Sequence, residues 1–201
     1  MIIYIKIEVE MMKKVFSLLL CALILFSVSA CGDNSDKAED SQTLAAESFV
    51  GEGEKTVLRS LISANAFFVD DVFITNHLPV NLKAVKETAD GKFTPVVSDK
   101  IGSLADLKNM LEATYTADTA QKLLDENKYV EIDGKLYFNM KYDITTESKY
   151  DWSSFELDAE NKGSGKYALT VTVNGADGKK AEIEMTAVTT DGNIRLENIY
   201  Y

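Results

Sequence analysis

The chain has 201 residues, with 21 Lys+Arg against 32 Asp+Glu, one histidine and a formal net charge of −11. So acidic a surface disfavours nucleic acid and anionic lipid headgroups, since both attract positive charge. Its two cysteines, Cys21 and Cys31, both fall within the first 31 residues, which leaves residues 32–201 without a thiol nucleophile, a zinc–thiolate site or a disulfide.

Residues 1–10 alternate apolar and polar side chains like a strand, yet they precede a complete export signal that could begin at Met11 or Met12. Translation is expected to start at one of those methionines, so residues 1–10 are left out of the fold. Lys13 and Lys14 lead into an apolar run from Val15 to Phe26, followed by Val28-Ser29-Ala30-Cys31. A basic start, an apolar core and small residues before a cleavage point make a secretory signal peptide over residues 1–30. The run is too short to span a bilayer about 30 Å thick, which takes about 20 apolar residues. Val-Ser-Ala-Cys matches the bacterial lipobox, in which the cysteine sulfur takes a diacylglycerol and becomes the new N-terminus. Cys31 is therefore the expected lipidation site, and two acyl chains at one point suffice for stable anchoring. The chain is expected on the extracytoplasmic face of the cell membrane.

Residues 31–50 read as that anchor followed by a polar, acidic, flexible linker. From residue 51 to residue 201 a single domain is expected, large enough to bury about 70% of its unfolded surface. Val57, Leu58, Leu61, Ile62, Phe68, Val69 and Val72 recur at helical spacing, predicting one amphipathic helix over 54–73 that Leu78-Pro79 closes. Residues 93–98 form a short strand, which Pro95 should confine to an edge or make irregular. Ser103 caps a second helix with Asp106 three residues on. Thr116 caps a third, and the two should pack as a helical hairpin.

Beta structure then dominates. Two alternating runs, 129–132 and 135–139, flank Asp133-Gly134, the strongest short hairpin signal. Further strands are expected over 152–158, 166–174, 180–188 and 194–200. Leu169, Val171 and Val173 alternate with Thr170, Thr172 and Asn174, so one face is buried and the other wet. The fold class is α+β: N-terminal helices packed against an antiparallel meander sheet.

Recognisable catalytic machinery is missing. His77 stands alone beside Pro79 without a Gly-x-Ser-x-Gly elbow and reads as a loop histidine. No metal-ligand spacing or phosphate-cradling loop occurs, so no catalytic residue, metal or cofactor is assigned. Asp70 and Asp71 read as solvated carboxylates at a helix end, where the dipole disfavours them. Trp152, the only tryptophan, is expected in the core at a strand start, the alternative being an exposed role in binding. The most unusual stretch is 140–151, which reads MKYDITTESKYD. It is either an irregular connection or extra edge strand with solvated charges, or a presented acidic loop, since recognition tends to sit on loops held by a rigid sheet.

The succession Ser98-Asp-Lys-Ile101, Leu104-Ala-Asp-Leu-Lys108, Leu111, Tyr115-Thr116, Ala120, Tyr129-Val-Glu131, Asp133-Gly-Lys-Leu-Tyr137 and Asp151-Trp152 resembles the secreted DL-endopeptidase inhibitor (IseA-like) family of Gram-positive bacteria. The likeness covers residues 93–152 and rests on order and spacing. It implies a protein that binds cell-wall cysteine endopeptidases and restrains autolysis, using an acidic loop that blocks the enzyme's cleft. By position that loop is 140–151, with Asp143, Glu147 and Asp151 as acidic contacts and Tyr142 or Ile144 as apolar anchors. Two departures stand out: this loop has no glycine, and the family's members are typically released rather than anchored. The rival reading from another class is an extracytoplasmic lipoprotein binding a small ligand or wall fragment in a cavity between helices and sheet.

Overall fold

The computed structural model describes residues 49–142 and 146–201. The signal peptide, Cys31 and the linker up to Ser48 lie outside the described residues, as do Asp143 and Ile144. Helix α1 (Glu52–Phe67) opens the domain. The Glu54 carboxylate reaches back to the Gly51 N–H at 2.9 Å and also accepts the Tyr167 hydroxyl at 2.6 Å. One side chain thus closes the helix start and ties it to the sheet behind.

The helix expected over 54–73 does not run on as one α-helix. Past Phe67 it widens into a π-helical turn, Phe68–Phe73, in which the Ile74 N–H reaches back to the Val69 carbonyl at 3.1 Å. The wider turn lets Phe68, Val69, Val72 and Phe73 all enter the core, while Asp71 stays exposed. An α-helical turn would split those four apolar residues over a broader arc. Single-turn π segments of this kind are frequent at functional sites.

Strands β1 (Lys86–Thr88) and β2 (Gly91–Pro95) follow. Helix α2 (Leu104–Thr114) begins with a full capping box: the Asp106 N–H donates to Ser103 Oγ at 3.1 Å and the Ser103 N–H to Asp106 Oδ2 at 2.9 Å. Hydrogen bonds from Ser103 and Gly102 hold the Asp106 carboxyl below its ordinary pKa. Helix α3 (Ala117–Asp125) starts after Thr116, whose side chain makes no capping bond. Its backbone N–H instead joins the Leu196 carbonyl at 2.9 Å, fastening the α2–α3 corner to the last strand. Then come β3 (Tyr129–Ile132), β4 (Lys135–Asn139), β5 (Tyr150–Asn161), β6 (Lys166–Gly175), β7 (Lys180–Thr190) and β8 (Asn193–Leu196).

The fold is α+β, as its pattern of elements implies, but the strands form two sheets rather than one meander. One has the order β1-β2-β4-β3, and the other, β5-β6-β7-β8, is the true meander. All paired strands are antiparallel. Pro95 does not lie on an edge strand, because β2 runs between β1 and β4. Its missing N–H is tolerated because β1 pairs only as far as Phe93. Beyond that point the Pro95 carbonyl accepts the Asn81 N–H at 3.0 Å. Asp133 and Gly134 have φ of 52° and 73°, the type I′ turn that suits a two-residue hairpin, and Asp191-Gly192 repeats it with 51° and 75°.

One continuous core joins the helices to both sheets. Leu58 and Ile62 of α1, Leu107 and Leu111 of α2, and Leu169 and Val171 of β6 are all 0% exposed. Each such side chain contributes about 1.5–3 kcal/mol of burial. Lys128 is drawn in as well: its ammonium donates to the carbonyls of Phe73 at 2.6 Å and Asn76 at 3.2 Å. It closes the π-helical turn from below, and burial pulls its pKa down.

Candidate partner-binding loop and adjoining cleft

The segment between β4 and β5 carries the chain from one sheet to the other. Its start is a 3-10 turn, Met140–Tyr142, anchored where the Lys141 N–H meets Asn139 Oδ1 at 3.2 Å. Tyr142 is half-buried and its hydroxyl donates to the Glu126 carbonyl at 2.5 Å. The Lys141 ammonium lies 4.6 Å from its ring centre. Tyr142 is therefore fixed at the loop's base.

On the far side, the Thr146 N–H donates to the Thr75 carbonyl at 3.0 Å, stitching the segment to the residues after the π-helical turn. Glu147 is exposed. The Ser148 hydroxyl donates to the Tyr150 carbonyl at 2.8 Å, and β5 begins at Tyr150. Asp151 is thus a strand residue opposite Asn174, not part of the loop. Its carboxylate accepts the Ser153 N–H at 3.0 Å, and hydrogen bonding to Ser153 lowers its pKa. Of the described members of the set, Tyr142 is tied to the end of α3, Glu147 lines a cleft with Ile74 and Thr75, and Asp151 stands on β5.

Below the segment lies a cleft of about 120 Å³, lined by Val69, Ile74 and Thr75, by residues 146–150, and by Trp152 and Tyr201. Of its deeper walls, Trp152 alone carries a sequence signal that could point to binding. Trp152 is 8% exposed and meets Tyr150 edge-on with ring centres 5.8 Å apart. Its indole Nε1 is buried without a hydrogen-bond partner, a state that costs about 1–3 kcal/mol. The Lys149 ammonium lies 5.4 Å from the centre of the Tyr201 ring. Asp70 sits next to the cleft on the π-helical turn, where it accepts the Thr75 hydroxyl at 3.3 Å. Burial raises its pKa, hydrogen bonding to Ser148 and Thr75 partly opposes that, and the charge of Asp151 adds to it.

The C-terminus reaches this cleft through Asn65, an α1 residue with 0% exposure. Its Nδ2 donates to the Tyr200 carbonyl at 2.8 Å, while its Oδ1 accepts the Tyr200 N–H and the Tyr115 hydroxyl, both at 3.0 Å. Its only sequence signal is an amide on the apolar face of a helix.

A second, shallower depression of about 460 Å³ lies over Lys149, Tyr150, residues 175–177 and residues 179–181. Between helices and sheets the buried side chains of the described residues pack as one cluster. His77 stacks on Phe138 with ring centres 4.2 Å apart, and its Nδ1 lies 2.7 Å from the Leu78 carbonyl, the contacts of a structural group. Among the described residues no three His, Cys, Asp or Glu side chains are placed to share a metal ion, and no helix is long and apolar enough to cross a membrane. No family model matches the chain, and no curated protein matches it significantly.

Proposed function

We propose that this chain is an envelope lipoprotein, anchored through Cys31, that binds and inhibits peptidoglycan DL-endopeptidases by occluding their cleft with the acidic segment between β4 and β5. The observation that carries this reading is the combination of a filled core with a charged segment held at both ends. Tyr142 and Thr146 are each hydrogen-bonded to backbone carbonyls elsewhere in the fold, so the described residues on both sides of 143–145 are held in place. Fixing the two ends of a segment reduces the ordering cost of binding. Asp143 and Glu147 supply its negative charge, and Asp151 adds to it from the adjoining strand. A cleft that handles an anionic peptide stem carries basic groups, and charge complementarity there steers encounter more than it deepens affinity. The rival reading, capture of a wall fragment, would need the open depression of about 460 Å³ over Lys149, Tyr150 and residues 175–177, since the cleft of about 120 Å³ is too small for one.

Association with a purified DL-endopeptidase, followed on a biosensor, tests this. The on-rate should fall steeply as salt rises from 50 to 500 mM and should collapse when Asp143 and Glu147 are both changed to Lys. An on-rate indifferent to salt and to that change would sink the occlusion mechanism.

A further inference from the structure

We propose that the cleft beneath residues 146–150 is a binding site for an organic ammonium group no larger than the head of a lysine side chain. This does not rest on the inhibitory role, because the ligand is defined by the cleft's own chemistry.

Size sets the first limit. A cavity of about 150 Å³ holds a benzene ring, so about 120 Å³ admits a methylated ammonium or the end of a lysine and excludes a sugar or nucleotide. The walls set the second. Tyr150, Trp152 and Tyr201 bring three aromatic rings to one small space, and ring faces attract cations, with choline and methyl-lysine held in such cages. One cation already uses this property, since the Lys149 ammonium stands 5.4 Å from the Tyr201 ring centre.

Charge sets the third. Glu147 lines the cleft together with Lys149, and Asp70, next to that lining, accepts the Thr75 hydroxyl. A cation entering the cleft gains from the Glu147 and Asp70 carboxylates and is opposed by Lys149, whereas an anion meets the reverse. Trp152 is held at the wall although its indole N–H lacks an acceptor.

Because Trp152 is the only tryptophan, the intrinsic fluorescence of the full chain reports on the cleft directly. The titrants are tetramethylammonium chloride, N-acetyl-lysine methylamide and the neutral isostere tert-butanol, at constant ionic strength. One of the two cations should give a saturable change with an apparent Kd at least tenfold lower than that of tert-butanol. Saturation by tetramethylammonium alone identifies a methylated small amine, and saturation by the lysine amide alone identifies a lysine of a protein partner. Tyr201→Ala, at a residue 54% exposed, should weaken binding about threefold or more without disturbing the core. Lys149→Met keeps the apolar stem and removes a like charge, so it should tighten cation binding about threefold. Two results would overturn the proposal: no saturable response to either cation in the parent chain and in Lys149→Met, or equal response to the cations and tert-butanol.

Discussion

Replacing Asn65 with Ala should be among the most damaging single changes in the domain. The side chain is fully buried and serves three partners: the Tyr115 hydroxyl, the Tyr200 N–H and the Tyr200 carbonyl. Tyr115 is itself 0% exposed, so its hydroxyl would be stranded in the core, at about 1–3 kcal/mol. Tyr200 is only partly buried, and water can reach its backbone groups, so losing those bonds costs nearer 1 kcal/mol each. The total is about 3–5 kcal/mol, a large share of the roughly 5–15 kcal/mol that holds a typical domain together. Urea denaturation followed by Trp152 fluorescence measures it. Tyr115→Phe removes the stranded group, so the double variant should be less unstable than the sum of the singles by about 1–2 kcal/mol. A loss below 1 kcal/mol for Asn65→Ala, or strict additivity in the cycle, would refute the view that this amide holds the C-terminus onto the core.

Two further outcomes follow from local geometry. Because the folded-state pKa of Asp70 is raised, chiefly by burial, its contribution to stability is full below the ordinary carboxylate value and is lost as pH rises through the folded value. Asp70→Asn should therefore raise the melting temperature at pH 7, with the gain narrowing toward pH 3; a gain that grows on acidification contradicts that sign. Gly165 has φ of +72°, and an added Cβ would come 3.0 Å from Thr189 Cβ, whereas Gly134, at φ +73°, faces open space. Each Gly→Ala change costs about 1–2 kcal/mol for the left-handed backbone. Gly165→Ala should cost more than Gly134→Ala in the same urea assay, and equal losses would show that the Thr189 contact is yielding.

What the sequence made legible was chemistry acting over a few residues. Asp133-Gly134 and Asp191-Gly192 announce their turns because few residues accept consecutive positive φ angles. Ser103 and Asp106 announce a helix start because each satisfies the other's backbone N–H. Contacts between distant segments left no such trace. Lys86–Thr88 is short and polar, so nothing marks it as the strand that places β2 inside a sheet. The division into two sheets depends on which strands meet, which alternation alone does not specify. The π-helical turn escaped notice because Phe68, Val69 and Val72 keep helical spacing whether the turn is wide or narrow. Lys128 reads as a solvated cation, yet it is buried against the Phe73 and Asn76 carbonyls. The candidate loop was legible by composition and its supports were not, since Tyr142 and Thr146 are held through backbone carbonyls that carry no side-chain signature. The cleft was invisible for the same reason, because it joins the chain's last residue to the end of its first helix.

The most direct measurement is the rate at which a purified DL-endopeptidase releases peptide stems from isolated peptidoglycan, with and without the full chain. The inhibition proposal predicts that an equimolar amount slows release at least tenfold, and that changing Asp143 and Glu147 to Lys restores it. An endopeptidase running at its full rate in the presence of the intact protein would contradict the proposal.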